Sequence, residues 1–234
     1  MQHLTSTDPD LAALIDGELH RQQETLVMIA SENYVSPAVL IPRPETEVIV
    51  EQAIRRLRAR VPTTGQLRVL DAGTGSGNIA ISLALAVPSC VVVALELSYD
   101  ALRIAQANVA RHQLTERVTV VRADWSGWVA SERFDLILSN PPYVSSAEME
   151  RLSEVVRREP PQALDGGADG LDAYRVLLAR IPQWRAMGGI VGFECADTRH
   201  EILSALCAGQ PWVRRLDAVQ DLAGRPRGLF LETY

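Results

Sequence analysis

Apolar positions along the chain change their spacing several times, and each change marks an element. Leu67, Val69 and Leu70 form a run short enough for a buried strand. Gly73-Thr74-Gly75-Ser76-Gly77 breaks it. Ile79, Ala80, Leu83, Ala84 and Val87 then resume at helical spacing. VVVALELS predicts a second buried strand ending in Glu96, and Ser98 to His112 a helix with Leu102, Ile104, Ala105 and Val109 inward. VTVVRADW reads as a third strand ending at Asp124-Trp125. FDLILS reads as a fourth, stopping at Asn140-Pro141-Pro142-Tyr143. The charged stretch from Ser145 to Arg158 is expected to be mobile, and EPPQALDGGADG to be a loop. LDAYRVLLARI predicts a helix and GGIVGFEC a fifth strand. A helix near His200 to Ala208 follows, and WVRRLDAV and RGLFLE close the sheet as an antiparallel pair. Strands alternating with helices imply a parallel α/β sheet.

Upstream, Val48, Ile49, Ala53, Ile54 and Leu57 give one apolar face to a helix that Pro44, Glu45 and Glu47 start well. Pro62 to Gly65 ends it. Further upstream, Leu11, Leu14, Ile15 and Leu19 predict a helix from about Asp8 to Arg21. A second apolar cluster, Leu26 to Ile29, leads into an irregular arm. The expected division is a helical arm over residues 1–40 and one α/β domain over 41–234. A lone helix cannot bury both apolar clusters of the arm, so the arm is expected to pack on the domain or on a second copy of the chain.

Composition narrows the chemistry. The chain has 234 residues, of which 47% are hydrophobic, enough for a real core in one domain plus an extension. Its net charge of −6 argues against a nonspecific nucleic-acid binder, which needs a basic surface. All 23 basic residues are arginine. Without lysine there is no Schiff base, which excludes catalysis through a pyridoxal phosphate lysine. Cys90, Cys195 and Cys207 form no C-x-x-C pair and read as buried free thiols. His3, His20, His112 and His200 do not cluster, so no metal site is expected. No signal peptide or membrane span is evident, and the protein reads as cytoplasmic.

Strand, glycine loop and helix place backbone N–H groups and a helix N-terminus at the carboxyl edge of the sheet, where ligands bind. The order here is G-x-G-x-G rather than the G-x-G-x-x-G of dinucleotide proteins. Glu96 lies about 20 positions on, where a carboxylate can grip ribose hydroxyls. A nicotinamide enzyme and an S-adenosylmethionine enzyme could both use this half, and a purely structural turn is the plain alternative.

Asn140-Pro141-Pro142-Tyr143 stands on the same edge. Two prolines after a buried strand fix a rigid, extended turn. They free the Asn140 side chain and the Pro141 carbonyl from the ladder. Two acceptors aimed at one point hold an amide or exocyclic amine, which has two N–H donors. They can draw its lone pair out of conjugation as the nitrogen attacks a methyl sulfonium. Tyr143 can wall the transferring methyl. The plain alternative is a strand-ending turn with a buried Asn.

IPRPETE, VLDAGTGSGNIAISLA, NPPYV and EVVRREPPQALDGGADGLDAYR, in that order, resemble the catalytic domain of the HemK family over about Val39 to Leu231. These are S-adenosylmethionine-dependent methyltransferases acting on the glutamine amide nitrogen of peptide-release factors. The resemblance implies a seven-stranded Rossmann-like class I sheet with helices on both faces. It implies that Asp71 and Gly73, Thr74, Gly75, Ser76 and Gly77 bind the cofactor around its methionine part. Glu96 would hold the ribose, and Asp124 and Trp125 would flank the adenine. Asn140 and Pro141 would hold the target amide, with Pro142 and Tyr143 beside it; Asn140 would also meet the cofactor. The Arg43 to Glu47 turn is expected near the active-site floor or in a packing role. Glu159, Pro160 and Gly166-Gly167 are expected to brace the pocket.

Residues 5–40, above all IASENYVSPAVL, resemble the amino-terminal segment of serine hydroxymethyltransferase. No lysine completes such a site, so the arm is expected to be structural. It stands where the HemK family has a helical domain that docks the release factor. After the fifth strand that family shows E-x-G-x-x-Q, and here Glu194-Cys195-Ala196-Asp197-Thr198-Arg199 stands instead. The methyl acceptor is accordingly expected to be a release factor, or a small molecule or another protein reached without that docking domain. A non-catalytic cofactor-binding fusion is the remaining alternative.

Overall fold

The structure is a computed structural model that describes residues 43–60, 65–154 and 156–234. The expected arm over residues 1–40, its packing and its oligomeric contact lie outside the described residues. The elements are α1 (Pro44–Arg58), β1 (Leu67–Ala72), α2 (Asn78–Ala86), β2 (Cys90–Glu96), α3 (Tyr99–Arg111), β3 (Val118–Arg122) and β4 (Phe134–Ser139). They continue as α4 (Ser146–Met149), α5 (Asp172–Trp184), β5 (Arg185–Glu194), α6 (His200–Ala208), β6 (Val213–Gln220) and β7 (Pro226–Thr233).

The strands form one seven-stranded sheet in the order β3-β2-β1-β4-β5-β7-β6. β1 pairs in parallel with β2 and β4, and β4 with β5. β7 is antiparallel to both β5 and β6. The last two strands are thus the antiparallel edge that the sequence predicts, with β7 inserted inside β6. A doubly covered parallel sheet needs strands apolar on both faces, which is why LRVLDA and FDLILS read as near-continuous runs.

Alternation within those runs divides the core into two layers. Leu67 and Val69 join Ile49, Ala53 and Leu57 of α1 and the apolar residues of α2. Leu70 and Ala72 join Tyr174, Leu177, Ile181 and Trp184 of α5 and Leu203 of α6. In α2 every residue from Asn78 to Ala84 is buried, because α1, α3 and the sheet surround it.

The stretch expected to be mobile carries defined structure. Ser145 and Glu148 form a reciprocal capping box that starts α4. Glu148 also pairs with Arg199, and a 3₁₀ turn covers Val156–Arg158. The backbone of Val144 is bridged to the Gly-rich loop through Leu164 and Gly166. Local charge reads as solvated chain, but Arg199, the ion-pair partner of Glu148, lies outside the stretch itself. Cys90, Cys195 and Cys207 are free and buried, and burial pushes each thiol up to about 12. Among the described residues no helix is long and apolar enough to cross a membrane, and no group of three metal-ligating side chains assembles.

Candidate functional site

β1 sits where the strand order turns, with β2 on one side and β4 on the other, so their carboxyl ends open a crevice. A cavity of about 400 Å³ fills it, within the range of small-molecule sites. The loop after β1 forms one wall. Gly73 has φ +83°, and a Cβ built on it would lie 2.8 Å from the Trp125 ring. A side chain there would be strained and would collide, so glycine is what lets the Trp125 ring lie against the loop.

Asp71 holds that loop from behind. It is fully buried, and its Oδ2 accepts from the Thr74 hydroxyl at 2.5 Å and from the Ala80 N–H at 3.1 Å. Asp71 does not line the cavity. The sequence expectation places it among the cofactor-binding residues; in the structure it orders the loop and the first turn of α2 from behind the cavity lining. Burial pushes its carboxyl up to about 7, against the pull of Thr74 and Ala80. Gly77 likewise lies outside the lining, at the N-cap of α2 with φ +88°. Gly73, Thr74, Gly75 and Ser76 do line it.

Glu96 closes the opposite wall from the end of β2. Its Oε2 accepts from Gly75 N at 2.9 Å and its Oε1 from Ser98 N at 2.8 Å. A carboxylate offers about four lone-pair sites, so each oxygen keeps one for a further donor. Burial raises its pKa, opposed by the Ser98, Gly75 and Leu97 N–H groups. Asp124 is exposed at the rim, where its Oδ1 accepts from Ser126 N at 2.8 Å, and Trp125 lies beside it. The residues therefore fit a nucleoside with an amino-acid tail: N–H groups and glycines at one end, a carboxylate midway, an indole at the other.

β4 ends at Ser139, whose hydroxyl donates to Ala72 O at 2.6 Å and so ties the NPPY turn to the end of β1. Asn140 and Pro142 line the cavity, half-buried. Pro141 is buried and Tyr143 faces a second cavity, with Arg43, Glu45, Glu194, Cys195 and Arg227 among its lining. Tyr143, expected beside the target, lines this second cavity and not the first. The turn exposes residues alternately, and Asn140 and Pro142 take the cavity side. Burial and the Glu194 charge raise the Tyr143 phenol well above its usual range.

The Arg43 to Glu47 turn supplies the floor and a brace together. Arg43 and Thr46 line the cavity, and Arg43 is ion-paired to the buried Glu159 at 2.6 Å. Gly166 packs on the NPPY turn, where a Cβ would sit 2.8 Å from Pro142 O. The sequence did not single out Thr46, and it noted Glu194 only as a departure. Asn140 Nδ2 donates to Thr46 Oγ1 at 3.3 Å, and the Glu194 carboxyl, raised to about 7 by burial, has its Oε2 without a hydrogen-bond partner among the described residues. Glu194 is 2% exposed and Thr46 3% exposed. A buried acid ending a strand beside NPPY was the available signal.

Residues 48–167 match the family described as "Methyltransferase small domain". A curated protein named "Release factor glutamine methyltransferase" from Gloeobacter violaceus is 41% identical over 194 residues, 82% of this chain and 66% of its own length. One of the same name from Moorella thermoacetica is 39% identical over 193 residues, 82% of this chain and 67% of its own. Another from Agrobacterium fabrum is 36% identical over 211 residues, 90% of this chain and 71% of its own. The chain spans about two thirds of the length of these relatives, and 52% of one from Geobacter sulfurreducens. A solved methyltransferase from Pyrococcus furiosus shares the fold, with a TM-score of 0.62 at 17% identity over 95% of this chain and 96% of its own.

Proposed function

The chain belongs to the methyltransferase small domain family and to the group of release factor glutamine methyltransferases within it, and from that premise we propose that it methylates a side-chain amide nitrogen. The methyl donor is S-adenosylmethionine, and the acceptor is the glutamine amide that the relatives' names specify for them. The observation that carries this reading is the place of Asn140. It stands on the wall of the very cavity that the glycine loop and Glu96 build, at the end of the neighbouring strand.

Each group then has a task. Gly73 to Ser76 surround the methionine part of the donor. The remaining Glu96 lone pairs accept from two ribose hydroxyls, while Asp124 and Trp125 flank the base. When bound, the donor supplies a methyl group on a positively charged sulfur. An amide nitrogen is a weak nucleophile, since its lone pair is delocalised into the carbonyl. Asn140 Oδ1, with the Pro141 carbonyl beside it, accepts from the amide N–H groups and stabilises the charge that builds on nitrogen. Pro142 fills the wall next to it, and Tyr143 backs the turn from the second cavity.

The test is transfer of labelled methyl from S-adenosylmethionine to a purified peptide-release factor. Asn140→Ala removes one transition-state acceptor and should lower the rate by a factor on the order of a hundred. Cofactor affinity by calorimetry should stay nearly the same. Wild-type turnover in this variant, or no transfer by the unmodified protein, would sink the reading.

A further inference from the structure

We propose that the second cavity is a subsite for the acceptor polypeptide, in which Glu194 Oε2 accepts a main-chain N–H from a residue next to the methylated one. The proposal rests on the reading of this chain as a methyltransferase of a side-chain amide in a polypeptide.

The second cavity has a volume of about 550 Å³ and adjoins the first, since Arg43 lines both. The NPPY turn runs between them, with Asn140 and Pro142 on the first and Tyr143 on the second. Ser139 of β4 pairs in parallel with Phe193 of β5, so Asn140 and Glu194 are the next residues of two neighbouring chains. Paired strands lie about 4.8 Å apart. A target amide held at Asn140 is carried by a main chain only a side chain's length away. Three residues of extended chain span about 10 Å. The residues flanking the target therefore come within reach of the second cavity.

The wall of that cavity selects for a donor. Arg43 is ion-paired to Glu159 at 2.6 Å, and Arg227 to Asp221 at 2.9 Å and to Glu45 at 3.8 Å. Both cations on the wall are thus already matched to carboxylates. Glu194 is not satisfied in the same way. Phe193 packs in the apolar layer under α5, so Glu194, the next residue of the strand, turns to the opposite face. It is 2% exposed, and its Oε2 has no hydrogen-bond partner among the described residues. A buried acceptor without a donor is costly, and a ligand that brings the donor recovers that cost. Burial pushes the carboxyl up to about 7, and a donor on Oε2 replaces part of what the lost water supplied. Asp197 on the same wall adds negative charge, which disfavours an anionic ligand. A polypeptide offers one N–H at every residue except proline.

A double-mutant cycle with a purified release factor as acceptor tests this. On the enzyme, Glu194→Gln keeps the volume and replaces the carboxylate, and Glu194→Ala removes the acceptor outright. On the release factor, the residue before or after the methylated glutamine is changed to proline, which has no N–H. With the unmodified acceptor, each Glu194 variant should raise KM about fivefold or more, with kcat and the S-adenosylmethionine Kd within twofold. That split marks a contact made equally in the ground and transition states. One of the two proline changes should raise KM by a similar factor with the unmodified enzyme, and by less than twofold with either Glu194 variant. A wild-type KM in Glu194→Gln, a fall in kcat at unchanged KM, or a proline effect of the same size in all three enzymes overturns the proposal. Methyl transfer absent from the unmodified protein would overturn the functional reading and this proposal with it.

Discussion

Replacing Asp71 by Asn should remove a defined part of the protein's pH-dependent stability. In the folded chain the Asp71 carboxyl is pushed from 3.8 up to about 7, first by burial, with a smaller push from Glu96. Its Oδ1 has no hydrogen-bond partner among the described residues. In the unfolded chain the carboxyl titrates near about 3.9. Between those values the folded protein holds a proton that the unfolded chain has released. Stability from this group is therefore complete below about pH 4 and is lost as pH climbs toward about 7. A shift of about 3 units corresponds to roughly 4 kcal/mol in all, of which about 2 to 3 kcal/mol falls between pH 5 and 8. Glu194, raised from 4.5 to about 7, loses stability over the same window, so the wild-type curve contains both. The difference between wild type and Asp71→Asn isolates Asp71. The amide places an N–H where Oδ1 had no partner, a cost that does not vary with pH. Urea unfolding followed by tryptophan fluorescence at pH 5, 6, 7 and 8 measures it. Relative to wild type, the variant should gain about 2 to 3 kcal/mol from pH 5 to pH 8. A difference that stays flat across that range would refute the buried, neutral Asp71.

Two further outcomes are expected. Glu96→Ala removes charged-acceptor contacts to the ribose and should weaken S-adenosylmethionine binding by roughly 1.5–3 kcal/mol in calorimetry; unchanged affinity would show that another group holds the ribose. Gly73→Ala forces a side chain into φ +83° and within 2.8 Å of the Trp125 ring. It should cost about 1–3 kcal/mol of stability and displace Trp125, seen as a changed fluorescence spectrum and at least tenfold weaker cofactor binding. A spectrum and affinity like wild type would show that the ring does not rest on the loop.

The fold was legible because periodicity reports on burial. Continuous apolar runs such as LRVLDA and FDLILS are what a strand covered on both faces requires, and of the expected inward positions of α3, Leu102, Ala105 and Val109 are buried while Ile104 is only half-buried. The antiparallel final pair was also legible, since its strands follow one another with a short turn. The charged stretch after Tyr143 has contacts its local pattern did not show, because some of their partners are remote. Glu148 finds Arg199, and Val144 finds Leu164 and Gly166. No local pattern of charge announces a distant partner.

The same division runs through the site. Sequence alone determined the strand–glycine loop–helix unit, the acid at the end of β2 and the N-P-P-Y turn at the end of β4, since each needs particular residues at fixed local spacing. It could not tell a carboxylate that faces a cavity from one that faces the core, so Asp71 and Glu96 looked alike. Only the tertiary structure separated them, by burying Asp71 behind Thr74 and Ala80 and leaving Glu96 half-buried in the cavity wall. Only the tertiary structure joined Arg43 to Glu159 across 116 positions and Asn140 to Thr46 across 94. The physical reason is range: backbone conformation and face are set by neighbours a few residues away, whereas the direction and protonation of a buried polar side chain are set by whatever packing brings against it.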